Sequence, residues 1–226
     1  MIAIVNYDTG NIRSVTNALA RVGCTDWVYT DDKRLLTTAD KVILTGVGEA
    51  STAMAKLAER GLDSLIPTLT QPVLGICVGT QLMCQSSEEG DVECMGIFRT
   101  RVKKFVCQQT TDNSQQSPSG STHCTEPANK PLTVDRRPLT IEKVPHMGWN
   151  QITDLRTPLF NHIDEGAYIY YVHSYYPELC DDTIATSHYI NAFSGALGRD
   201  NFFGTQFHPE KSGAVGAQIL KNFLEL

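Results

Sequence analysis

At 226 residues, the chain is long enough to bury a sizeable core as one large domain or two small ones. A formal net charge of −6 and a pI near 5.5 exclude a broad electrostatic footprint for nucleic acid, and no apolar run approaches the roughly 18 residues that a membrane span needs. The expected partners are small molecules or another protein, with no nucleic acid and no membrane.

Seven cysteines, Cys24, Cys77, Cys84, Cys94, Cys107, Cys124 and Cys180, are odd in number and lack C-x-x-C spacing. Neither a disulfide framework nor a zinc site is expected, nor any other metal or cofactor, and a reducing cytoplasm fits this usage. Met1-Ile2-Ala3-Ile4-Val5 has no basic region or cleavage site and reads as a first strand rather than a signal peptide.

A turn-rich loop, Asn6 to Asn11, leads to Ile12, Val15, Leu19 and Val22 at helical spacing, and Gly23 is a natural stop. Trp27–Thr30 and Lys41–Leu44 read as short strands, the latter ending in Thr45-Gly46-Val47-Gly48. The spacing of Met54, Leu57, Ala58, Leu62 and Leu65 predicts a helix from Ala50 to Ile66, closed by Pro67. Val73–Ile76 is a further strand, with a helix-compatible run from Thr80 to Gln85. Three β-then-α repeats before residue 90 predict an α/β fold: one domain with a central, largely parallel sheet and crossover helices, its sites gathered at the carboxyl ends of strands.

Beyond this the pattern changes. Arg101 to Val106 alternates like a half-exposed strand. Gln108 to Pro131 is crowded with Gln, Thr, Ser, Asn and Pro, cannot offset its ordering entropy by burial, and reads as a flexible excursion, with a lid as the other reading. Pro145 to Asn150 reads as a tight, aromatic-bearing turn. Ala167–Val172, Thr183–Thr186 and Asn201–Phe207 read as strands, and Ala214–Leu224 as a closing helix with Val215, Ile219, Leu220 and Phe223 inward.

The chemistry centres on Gly75-Ile76-Cys77-Val78-Gly79. An apolar strand that meets Gly-x-Cys-x-Gly and a helix is the cysteine version of the nucleophile elbow, a strained corner whose neighbours must be small. A thiol there lies at a helix N-terminus, which favours the thiolate. Its base is expected to be His208, which follows an apolar strand in Phe207-His208-Pro209-Glu210: Pro209 restrains His208 to an extended backbone, and Glu210 can turn back to the imidazole. The N–H of Val78 and an N–H from Gly46-Val47-Gly48 are candidate donors to an oxyanion, although Gly-x-Gly alone is also an ordinary turn. Met147 and Trp149 read equally as core filler, and His173 and Tyr175 as satisfied core polar groups. Cys84 reads as packing, His123, His162 and His188 as surface residues, and His146 is left open.

These residues carry a resemblance. Gly75 to Gln81 with His208-Pro209-Glu210 resembles the class I, triad-type glutamine amidotransferases, whose fold is flavodoxin-like. Asp8-Thr9-Gly10-Asn11, Gly46-Val47-Gly48, Pro145 to Asn150, His173-Ser174-Tyr175 and Phe207 to Gly213 are similar, within that class, to the glutaminase subunits of imidazole glycerol phosphate synthases. The similarity spans residues 1–226 as one amidotransferase domain, apart from the excursion at about 108–137. It implies that Cys77 attacks the glutamine amide to form a thioester, with His208 moving protons and Glu210 orienting it, and that Gly48, Gln81, His173, Ser174 and Tyr175 hold glutamine. It also implies that ammonia passes to a (β/α)8-barrel cyclase in a heterodimer, with Asn11, Trp149 and Lys211 facing that partner. The cyclase would convert the nucleotide PRFAR to imidazole glycerol phosphate and AICAR. Three features depart from the family pattern: Thr45 stands where Pro is usual, Val78 and Thr80 where Leu and Met are more frequent, and the excursion has no counterpart. A related glutaminase that feeds amination of a nucleotide-linked sugar, and a non-catalytic regulatory module, are the other readings.

Overall fold

The structure, a computed structural model, describes residues 1–8, 10–106 and 143–226. In chain order it runs β1 Ile2–Val5, α1 Ile12–Arg21, β2 Trp27–Thr30, α2 Lys33–Thr38, β3 Lys41–Gly46, α3 Ala50–Glu59, β4 Val73–Cys77 and α4 Val78–Leu82. Then come β5 Ser86–Ser87, β6 Val92–Glu93, β7 Arg101–Lys104, β8 His146–Gln151, β9 Tyr168–His173 and β10 Tyr175–Pro177. The chain closes with β11 Thr183–His188, β12 Ala192–Arg199, β13 Phe202–Thr205 and α5 Gly213–Glu225.

Seven strands form the central sheet in the order β11-β12-β13-β4-β3-β1-β2. Neighbours from β2 across to β13 pair in parallel, and β12 and β11 extend the sheet antiparallel. The expected mixed, largely parallel α/β sheet is present. Its inner strands are continuous apolar runs, with Ile2–Val5, Val42–Leu44 and Val73–Ile76 all buried, because helices cover parallel strands on both faces. The chain moves from β1 outward to β2, then returns past β1 to β3 and β4. With β13 inserted beside β4, the carboxyl ends of β3, β4 and β13 lie side by side in the middle of the sheet. Two smaller sheets, β10-β7-β5-β6 and β8-β9, lie beside it.

Several elements differ from the sequence expectation. α3 stops at Glu59, not at Ile66. Gly61 sits at φ +58°, its N–H bonds to Ala58 O at 2.9 Å, and Leu62 N–H reaches Leu57 O at 2.9 Å, which is a Schellman stop. α4 ends at Leu82 rather than Gln85, because Gln85 N–H turns to Thr100 O at 2.9 Å. Pro145 to Asn150 is not a turn: His146–Gln151 is a strand paired antiparallel with β9. The exposed Met147 and Trp149 on it are not core filler. β12 and the short α2, capped by the Asp32 carboxylate on Arg34 N–H at 2.7 Å, are absent from the expectation. The excursion at about 108–137 and His123 lie outside the described residues.

Candidate active site

The nucleophile corner is built by β4 and α4. Gly75 pairs with Leu44 on one side and Gly204 on the other, so β4 is held from both edges up to the turn. Cys77 then adopts φ +54°, ψ −113°, a conformation that a non-glycine residue keeps only where its surroundings over-determine it. The flanking glycines are what allow it. A Cβ on Gly79 would lie 1.9 Å from Leu44 O, and one on Gly75 would lie 2.9 Å from Thr80 N. The corner is further tied by Thr80 Oγ1 donating to Thr205 O at 2.8 Å.

From the neighbouring strand β13 the chain reaches His208, whose N–H donates to Tyr170 O at 3.0 Å. Pro209 and Glu210 form a tight 3-10 turn that swings the carboxylate back under the ring. His208 Nδ1 donates to Glu210 Oε1 at 2.8 Å, with side chains only 4 % and 2 % exposed. That contact fixes the tautomer and leaves Nε2 as the working nitrogen. Nε2 is buried and meets no hydrogen-bond partner among the described residues. Burial pushes the imidazole toward the neutral form, but interaction with the Cys77 sulfur and with Glu210 outweighs it and raises the group to about 10. The imidazolium is therefore the favoured form at neutral pH, and its charge faces the sulfur.

Cys77 and His208 open onto one cavity of about 300 Å³, which Val47, Gly48, Val78, Gln81, His173, Ser174, Tyr175 and Lys211 also line. Gly46 stands just behind, paired with Cys77 on the last rung of the β3–β4 ladder. Gly48 has φ +96°, so the Gly46–Gly48 loop leaves the strand in a conformation suited to glycine. The N–H of Val78 opens α4 and has no carbonyl one turn back to bond. Gln81 Nε2 donates to Tyr175 O at 3.0 Å and to Gln206 Oε1 at 2.9 Å, while its Oε1 is buried without a partner among the described residues.

The three residues expected to face a partner are placed differently from one another. Trp149 is 56 % exposed on the outer face of β8, its ring 6.0 Å from that of Tyr170. Lys211 Nζ lies 5.9 Å over the same Tyr170 ring, at the cavity rim. Asn11 is exposed and caps α1, its Oδ1 accepting from Ser14 N–H at 3.3 Å.

Three site features escaped the sequence reading. Glu89 lines the cavity, and its Oε2 accepts from Ala50 N–H at 3.1 Å; burial, with Glu49 nearby, raises its carboxyl above the usual range. Gln206 Nε2 reaches the Cys77 Sγ at 3.8 Å. His146 is buried against His173, with Nδ1 to Nε2 at 2.9 Å. No local motif marks Glu89, while His146 lies within the Pro145 to Asn150 stretch that carries the resemblance, without a role read from it. The signal for Gln206 is that it adjoins the Phe207-His208 pair.

A strained cysteine corner beside a buried histidine–carboxylate pair, on a mixed and largely parallel sheet, is the arrangement expected of an amidotransferase. The chain belongs to the class-I glutamine amidotransferase family, which it matches over residues 3–226. Relatives called imidazole glycerol phosphate synthase subunit HisH are 48 % identical in Bacteroides fragilis, over 100 % of this chain and 99 % of the relative. In Pectobacterium atrosepticum the relative of that name is 45 % identical, over 99 % of each chain. Among solved structures, a putative GMP synthase subunit from Thermoplasma acidophilum superposes with a TM-score of 0.65 at 19 % identity, over 99 % of this chain and 92 % of that one. The glutaminase domain of Trypanosoma brucei CTPS with bound acivicin gives 0.57 at 13 % identity, over 99 % and 93 %. Those two likenesses concern the fold.

Proposed function

We propose that the chain is the glutaminase subunit of an imidazole glycerol phosphate synthase, an enzyme of histidine biosynthesis, and that Cys77, His208 and Glu210 perform its glutamine hydrolysis. Identity of 48 % along the whole length of relatives bearing that name supports the first part. The second rests on one observation: the buried His208–Glu210 pair shares a cavity with a cysteine held at a positive-φ corner.

In this reading His208 Nε2 already holds the proton given up by Cys77, and the sulfur attacks the side-chain amide carbon of glutamine as the thiolate. The oxyanion that forms is received by the N–H of Val78 and an N–H of Gly46-Val47-Gly48. As the C–N bond breaks, the imidazolium donates its proton to the departing nitrogen, and ammonia leaves. Water then attacks the thioester carbon while His208 takes its proton; the C–S bond breaks, glutamate departs and the thiolate–imidazolium pair is restored. Glu210 keeps the ring in the tautomer that serves both halves.

Gly48, Gln81, His173, Ser174 and Tyr175 line the place for glutamine. The free Gln81 Oε1 is an acceptor for a substrate N–H, and Glu89 supplies a carboxylate suited to the α-ammonium group. Ammonia passes to a cyclase subunit of (β/α)8-barrel type in a heterodimer, which makes imidazole glycerol phosphate and AICAR from PRFAR. The outer face of β8, with Met147 62 % and Trp149 56 % exposed, is an apolar patch of the kind partners cover; Trp149, Lys211 and Asn11 are assigned to that contact.

Replacing Cys77 tests the reading directly. With the partner subunit present, Cys77→Ala is expected to abolish glutamine-dependent synthesis, by at least about 1,000-fold, while ammonia-dependent synthesis survives. Persistent glutamine hydrolysis in that variant would overturn the mechanism.

A further inference from the structure

Behind the nucleophile, the buried polar groups form one line of hydrogen bonds whose direction can be assigned atom by atom. Tyr175 O can only accept, and it takes His173 Nδ1–H at 2.8 Å and Gln81 Nε2–H at 3.0 Å. Burial lowers His173 to about 3, so its ring is neutral; with the proton on Nδ1, its Nε2 is bare. That nitrogen accepts from His146 Nδ1–H at 2.9 Å. His146, lowered by burial to about 4, is neutral as well, and its bare Nε2 receives Asn150 Nδ2–H at 3.3 Å. Asn150 Nδ2 is oriented by donating also to His188 O at 2.8 Å.

Toward the active site, Gln81 spends its second N–H on Gln206 Oε1 at 2.9 Å. Gln206 is fully buried. Its oxygen is committed, so its amide nitrogen is the group turned to the Cys77 Sγ, 3.8 Å away. Reversing Gln81 would set its oxygen against Tyr175 O, and reversing Gln206 would set two N–H groups against each other. Each reversal leaves a buried polar group unmet, which is costly in a dry interior.

We propose that Gln206 donates an N–H to the Cys77 sulfur and stabilises its negative charge before the C–S bond forms and as it breaks, with Gln81, His173, His146 and Asn150 as positioning residues that dictate which face of the carboxamide the sulfur meets. This rests on Cys77 being the nucleophile. The geometry is that of a hydrogen bond to an ionised acceptor, which is stronger than a neutral one and is made to the reacting atom itself. It differs from an oxyanion donor because it serves the sulfur, not the substrate oxygen.

Two substitutions of nearly unchanged shape separate the donor from its packing. Gln206→Glu keeps an oxygen for the Gln81 N–H but offers the sulfur an acceptor; Gln206→Met offers neither donor nor acceptor. In the full chain with its partner subunit, both are expected to lower kcat for glutamine hydrolysis about 10- to 100-fold with KM within twofold. Both should also slow alkylation of Cys77 by iodoacetamide at pH 7 by at least about tenfold, the loss expected for one hydrogen bond to a charged group. A folded variant of either kind that alkylates and turns over within twofold of the parent would overturn the proposal. His146→Phe keeps the ring stacked between Tyr171 and Tyr189, 4.7 and 4.0 Å away, and removes both nitrogens. It should slow alkylation about threefold where Gln206 is present and not at all in the Gln206→Met background; equal losses in both backgrounds would overturn the positioning roles. A Cys77→Ala chain that still hydrolyses glutamine would defeat the nucleophile reading instead, and the two failures are thereby distinguished.

Discussion

At the scale of single residues, the buried histidines divide by what surrounds them. His208 has a carboxylate and a sulfur beside it and is raised to about 10; its contribution to stability is full below about pH 6.5 and is lost as pH rises through about 10. His146 and His173 are walled in by aromatic rings, including Phe105 and Phe193, and burial lowers them to about 4 and about 3. Their sign is the opposite. The unfolded chain binds protons at both below about pH 6.5 while the folded chain refuses them, so stability is full above that pH and falls as pH drops toward 4 and 3. Urea unfolding at pH 7.5 and pH 5.0 is expected to show a loss of roughly 2–4 kcal/mol from this pair, and His146→Phe should remove about half of that loss. His208 works in the opposite direction over this range, so the deciding comparison is the variant: a pH dependence in His146→Phe equal to that of the parent would contradict the neutral-pair assignment.

Among the elements, the β4–α4 corner is the most demanding, because the helix runs against the carbonyl of Leu44. Gly79→Ala should destabilise the fold by about 2–3 kcal/mol through overpacking alone, read as a lowered thermal midpoint, with activity lost even at temperatures where the variant is folded. The sequence displayed this corner openly: the glycines, the cysteine and the apolar run are contiguous, and β1 to β4 were legible for the same reason. β8 was hidden because Pro145, Gly148 and Asn150 carry turn chemistry, while its alternation of buried and exposed side chains becomes visible only against β9. β12 was hidden by Ser194, Gly195 and Gly198, small residues that pack closely in a sheet but carry little hydrophobic signal. Cys77 and His208 stood out as candidates because each has a local motif, and the structure brings both to one cavity. Glu89 has none, Gln206 only adjoins one and His146 lies in one without a readable part in it, because their contacts come from neighbours distant along the chain.

For the molecule as a whole, the proposed active site and the proposed partner surface adjoin. Tyr170 is touched by Trp149 and Lys211, and its carbonyl holds His208 N–H at 3.0 Å, so the apolar face of β8–β9 adjoins the His208 imidazole. Because Trp149 is largely exposed, Trp149→Ala should leave the thermal midpoint within about 1 °C of the parent, yet weaken binding to the cyclase subunit by about 2 kcal/mol, the loss typical of a central aromatic anchor; calorimetric titration of the two subunits checks it. Unchanged affinity would move the contact elsewhere. The shared rung between Gly46 and Cys77 has a further consequence. Neighbouring strands keep a spacing of about 4.8 Å whatever joins them, so the gap between the sulfur and the opposing loop is an inheritance of the ladder, indifferent to the helix and turns that connect the two strands. A longer, shorter or redecorated connection would leave that spacing as it is.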